Sequence, residues 1–122
     1  MSIGLVAVGF LASCPGRVDV RLASMTERLP AVGFVIADNP GGKVYAVIVD
    51  DATGKIVWKI LGRYSTRLTT FRYGEPPEGF VVDHAPEPLR PGARYRVAIS
   101  AEGPTGYLRF AIDDQGNAST AE

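Results

Sequence analysis

Few side chains in this sequence have the type and spacing that catalysis requires. His84 is the sole histidine, set in Asp83-His84-Ala85-Pro86 with one carboxylate beside it. A histidine with an acidic neighbour is the general-base half of a hydrolytic site, yet no Gly-x-Ser-x-Gly elbow supplies a nucleophile. His84 therefore reads as a surface histidine, with a hydrolase as the alternative. Carboxylates pair at Asp50-Asp51 and Asp113-Asp114. Successive strand residues point to opposite faces, so neither pair can share one proton as an acid–base dyad. The run Asp113-Asp114-Gln115-Gly116-Asn117 offers oxygen ligands without the spacing or closing glutamate of a calcium loop. Both pairs fall where a strand should turn, and aspartate favours turns because its carboxylate bonds nearby backbone N–H groups. Gly41-Gly42 and Gly103-Pro104-Thr105-Gly106 lack phosphate-loop spacing and read as turns. No catalytic residue, metal or cofactor is expected.

Two stretches have the residues of a binding surface. Arg63, Tyr64, Arg67 and Arg72 follow one hairpin, and arginine and tyrosine are enriched at interface hot spots. The plainer reading is a solvated loop. Gly74-Glu75-Pro76-Pro77-Glu78-Gly79-Phe80 either presents Phe80 to a partner or covers a sheet edge with proline. The thirteen basic residues, ten of them arginine, balance thirteen acidic ones. A flat overall field argues against nucleic acid, which needs a basic excess, and no small-molecule substrate is evident.

The elements that would position these residues are strands. The 122 residues, 46% of them apolar, suit one domain with a real core. Beyond Cys14 no stretch keeps helical periodicity for the roughly ten residues that a helix requires. Val18–Leu22 alternates with Val18, Val20 and Leu22 on one face, and Val32–Ala37 is apolar on both. Asp38-Asn39-Pro40-Gly41-Gly42 is a turn. Lys43–Asp50 and Gly54–Ile60 form the clearest hairpin, with Gly54 placed for a left-handed turn and bulge. Trp58, flanked in alternation by Ile56 and Ile60, is the expected core anchor, and its N–H should find a partner if buried.

Leu68–Tyr73 is a further strand, with Phe71 and Tyr73 on one face. Five of nine prolines fall between Glu75 and Pro91, which leaves room for a short edge strand at Phe80–Val82. Arg94–Ala101 alternates with Tyr95, Val97, Ile99 and Ala101 inward and Arg94, Arg96 and Ser100 outward. Tyr107–Ile112 returns with Leu108, Phe110 and Ile112 on one face. Asp113–Glu122 is polar and expected to fray. Seven or eight short strands at this spacing indicate an all-β antiparallel sandwich.

Leu89-Arg90-Pro91-Gly92-Ala93-Arg94-Tyr95-Arg96-Val97 resembles the tyrosine corner of fibronectin type III domains. The resemblance implies an immunoglobulin-like sandwich in which the Tyr95 hydroxyl bonds back to upstream backbone and Leu89 packs beneath the turn.

The lone cysteine excludes an intrachain disulfide and a cysteine-cluster metal site. It follows an uncharged apolar run, Ile3–Ala12, too short to span a bilayer and of the length of a signal-peptide core. The ending Leu11-Ala12-Ser13-Cys14 resembles the lipobox of bacterial lipoproteins. That resemblance implies diacylglycerol on the Cys14 sulfur and cleavage between Ser13 and Cys14. It also implies membrane attachment through two or three acyl chains, where one chain binds only marginally. The alternative is a cytosolic sandwich in which residues 3–12 are a buried strand and Cys14 a packed thiol.

The expected organisation is a signal peptide at 1–13, a lipidated N-terminus and linker at 14–17, a sandwich at 18–113 and a polar tail at 114–122. The expected function is a non-catalytic lipoprotein of the bacterial cell envelope, a binding or structural module facing the periplasm or the surface. Its expected contacts are the membrane, through lipid on Cys14, and an envelope protein. The alternatives are an assembly subunit of a secretion or surface complex that pairs at a sheet edge, and an envelope hydrolase using His84.

Overall fold

The computed structural model describes residues 17–40, 42–101 and 104–121. Residues 1–16, with the apolar run, Ser13 and Cys14, lie outside the described residues, as does the side chain of Tyr64. The described strands are β1 (Asp19–Leu22), β2 (Gly33–Asp38), β3 (Val44–Asp51), β4 (Ile56–Thr66), β5 (Thr70–Arg72), β6 (Phe80–His84), β7 (Arg94–Ala101), β8 (Thr105–Ile112) and β9 (Ala118–Thr120). They form two antiparallel sheets, one in the order β1-β2-β5 and one in the order β9-β8-β7-β3-β4-β6. The fold is an all-β sandwich, as the period-2 alternation predicts.

The core lies between the sheets. Trp58, Phe34, Phe110 and Ile60 are the largest of its fully buried side chains. Each such side chain contributes about 1.5–3 kcal/mol relative to exposure. Within the smaller sheet Phe34 stacks on Phe71 at 5.2 Å; between the layers Phe34 meets Phe110 edge-on at 5.3 Å and Trp58 lies 5.2 Å from Tyr73. β1 is fixed to the larger sheet where Val18 N–H donates to the Thr105 carbonyl at 2.9 Å. Gly106 permits this approach, because a Cβ there would collide with the Val18 carbonyl.

Three expectations are corrected. The return strand of the hairpin does not stop at Ile60 but runs to Thr66, so Arg63 and Tyr64 belong to a strand rather than a loop. Its extra length is held by β6, whose Phe80 pairs with Gly62. The tail at 114–122 does not fray as a whole: Ala118–Thr120 pairs with Phe110–Ile112. Its polar sequence conceals this, because the anchor is backbone, with Ala118 N–H donating to Glu27 and Leu29 N–H to Gly116. The Trp58 N–H, finally, has no hydrogen-bond partner among the described residues; ring packing, not a polar contact, positions the indole.

Candidate functional site

One aspartate of each pair, Asp51 and Asp113, forms a turn. The Asp51 carboxylate accepts from Thr53 N–H at 2.9 Å, Thr53 Oγ1 at 2.6 Å and Lys55 N–H at 3.1 Å. These bonds, that of the Thr53 hydroxyl foremost, favour the ionised form and lower its pKa. Gly54 closes the same turn at φ +88°. Asp113 repeats the device, accepting from Gln115 N–H at 2.9 Å and Asn117 N–H at 2.8 Å. Its pKa is lowered, chiefly by the Asn117 backbone bond. Among the described residues no three of His, Cys, Asp and Glu gather as metal ligands.

His84 ends β6 rather than lying in a loop. Its Nε2 sits 3.0 Å from Glu87, which also receives Lys55 Nζ at 3.2 Å. The Glu87 pKa is lowered, first by the His84 bond and then by Lys55. The backbone around Glu87 is pinned from the core by two tyrosines. The Tyr95 hydroxyl accepts from Arg90 N–H at 2.9 Å, and the Tyr73 hydroxyl donates to the Glu87 carbonyl. Leu89 and Tyr95 are both buried in the core cluster. Burial raises the Tyr73 pKa above the ordinary phenol value.

The arginines singled out after the hairpin do not form one patch. Arg63 and Arg67 lie near the end of the sandwich where β4 finishes opposite Val44, with the Arg67 guanidinium against Gly42. Arg72 lies at the opposite end, paired with Gly33 on the smaller sheet, its Nη1 donating to the Ala31 carbonyl at 3.4 Å. Phe80 is not a surface residue. It is 8% exposed, and its ring packs toward Gly62. The exposed apolar residues of that edge strand are its neighbours Val81 and Val82.

A different group of side chains does converge. On the outer face of the six-stranded sheet, Asp50, Arg96 and Arg109 stand directly opposite one another on β3, β7 and β8. Arg96 reaches Asp50 with both prongs of its guanidinium, Nε to Oδ1 at 3.2 Å and Nη2 to Oδ2 at 2.9 Å. Such forked pairs are the stronger, better-oriented kind, and this one satisfies Asp50, at 8% exposure the sole charged residue buried among the described residues. Arg109 has no carboxylate within 4.0 Å among the described residues; its guanidinium lies 5.2 Å from the Tyr107 ring centre, with that of Arg96 at 5.9 Å. Tyr107 itself is 56% exposed.

Arg94, two residues from Arg96 on the same outer face, completes the group. The three arginines line a cleft of about 390 Å³ together with Asp50, Asp51 and Ala121. Arg94 and Arg96 were legible as outward residues. Their convergence with Arg109 depends on the β7–β8 register, which the individual strands do not reveal. No protein-family model, curated protein or solved structure matches the chain.

Proposed function

We propose that the chain is a non-catalytic binding module of the bacterial cell envelope, tethered by lipid on Cys14 and folded as an immunoglobulin-like sandwich. The observation that carries the tether is Leu11-Ala12-Ser13-Cys14 after an uncharged apolar run, with strand β1 beginning at Asp19. The immunoglobulin-like reading is supported by the division of strands. β1, β2 and β5 share one sheet while β3, β7 and β8 share the other, which is the A-B-E and C-F-G partition of that class. The Tyr95–Arg90 bond, at the entry to β7, matches the tyrosine corner of such domains. The binding role is supported by the exposed Tyr107 and the arginines around it, residue types enriched at interface hot spots.

Fractionation of a bacterial host expressing the chain beside Cys14→Ser tests the tether. Wild type in the membrane fraction and Cys14→Ser in the soluble fraction is the expected outcome. Both soluble, also after an added Lys-Lys start, would favour the cytosolic sandwich with residues 3–12 as a strand.

A second reading has its own observation. β6 is an edge strand of the larger sheet with Val81 38% and Val82 46% exposed, which suits strand addition by an assembly partner. Val82→Pro would abolish a stable complex recovered from membranes on this reading, and would leave it intact on the first.

A further inference from the structure

Opposite positions on neighbouring antiparallel strands bring Cβ atoms to about 4.5–5.5 Å, and like charges placed there repel. Arg96 and Arg109 occupy such positions. Asp50, opposite Arg96 on its other side, offsets one of the two charges. Arg94 pairs with Ala111, which puts it diagonal to Arg109, a relation that long side chains still bridge. Among the described residues, three guanidinium groups thus gather over one stretch of sheet against two carboxylates. One of these carboxylates, that of Asp50, is held by Arg96, and the other, that of Asp51, is bound into its own turn. An uncharged residue at position 109 would remove the repulsion, which the contact of Arg109 with the exposed Tyr107 ring offsets only in part.

We propose that the cleft between Arg94, Arg96 and Arg109 binds an oxyanion, the carboxylate or phosphate group of a ligand. Guanidinium forks match both groups in shape and charge. The cleft, at about 390 Å³, lies within the range of small-ligand sites. Asp50 fixes the orientation of Arg96, which leaves Arg94 and Arg109 to close on the ligand. Tyr107 holds the Arg109 guanidinium against its ring, so the charge is positioned before a ligand arrives. This inference names the ligand class for the binding role proposed above. It does not depend on the tether, because it can be read on a soluble chain.

The test titrates full-length Cys14→Ser with sodium phosphate and, separately, with glutarate, at constant ionic strength set with sodium chloride. Calorimetry gives the affinity, and amide shifts in a ¹⁵N correlation spectrum locate it. Saturable binding of either probe is expected, with shifts at residues 94–96 and 107–109. Arg94→Gln and Arg109→Gln should each weaken it about tenfold, the effect of losing one charge-assisted hydrogen bond, while Arg28→Gln leaves it unchanged. Tighter phosphate binding assigns a phosphorylated ligand, and tighter glutarate binding a carboxylate. No saturable binding of either probe, or binding that the two arginine variants leave intact, would overturn the proposal. Near-ultraviolet circular dichroism of Trp58 verifies that each variant is folded.

Discussion

Strands β7 and β8 carry two unlike surfaces on one stretch of backbone. Facing the core are Tyr95, Val97, Ile99, Phe110 and Ile112, all buried. Facing outward are Arg94, Arg96, Tyr107 and Arg109, all exposed. The inner set is defined strand by strand, because any apolar residues of suitable volume at alternate positions will bury. The outer set acquires meaning only from pairing, because what matters is that Arg109 stands opposite Arg96 and Arg96 opposite Asp50. One surface stabilises the fold. The other, on the reading proposed above, is shaped for a ligand at some expense in mutual repulsion.

Substitutions on the two faces should separate these roles. The largest effect belongs to the core: Trp58→Ala should cost about 3–5 kcal/mol in urea unfolding, the usual loss for a buried large aromatic. A loss below about 1 kcal/mol would mean that ring packing around Trp58 is not what joins the sheets. Arg96→Gln comes next, at about 1–3 kcal/mol, because it leaves the nearly buried Asp50 carboxylate without its charged partner. Adding Asp50→Asn to that variant should recover part of the loss, and a purely additive double variant would deny the coupling.

Tyr95→Phe should cost about 0.5–1.5 kcal/mol through the lost bond to Arg90 N–H. Arg109→Gln should change stability by no more than about 0.5 kcal/mol, as for most exposed sites, while weakening oxyanion binding. A large destabilisation with binding retained would move Arg109 to the structural side of the comparison.

The two aspartate turns sharpen the comparison through pH. Folding lowers the pKa of Asp51 and of Asp113 below the ordinary 3.8. Their contribution to stability is therefore complete above that value and is lost as pH falls through the lower folded-state values. Acid unfolding of Asp51→Asn and Asp113→Asn should accordingly depend less on pH below about 4 than that of the wild type. An unchanged acid transition would show that these turns do not drive it.

Much of the sandwich was legible because alternation is local. β3 and the first half of β4 follow from the apolar pattern of Val44–Val49 and Ile56–Ile60 and from the turn at Asp51–Gly54, and the inward residues of β7 from theirs. β9 was not legible, since Ala118-Ser119-Thr120 is polar and short, and its pairing is dictated by backbone bonds to segments distant in sequence. For Phe80 the sequence leaves open presentation to a partner or a protected edge, because the prolines around it do not tell which way its ring turns; the ring is buried. The site was harder still. Arg63, Arg67 and Arg72 are close in sequence yet divided between opposite ends of the sandwich, whereas Arg96 and Arg109 are distant in sequence and adjacent in space. Nearness along a β chain says little about nearness on its surface.

The membrane tether is the central functional claim, and the intact mass of the mature chain is its most direct measure. Extracted from membranes of a bacterial host, the product should lack residues 1–13 and carry the added mass of a diacylglyceryl group, with or without a further N-acyl chain. An unmodified full-length mass, unchanged when a Lys-Lys start is added, would contradict it.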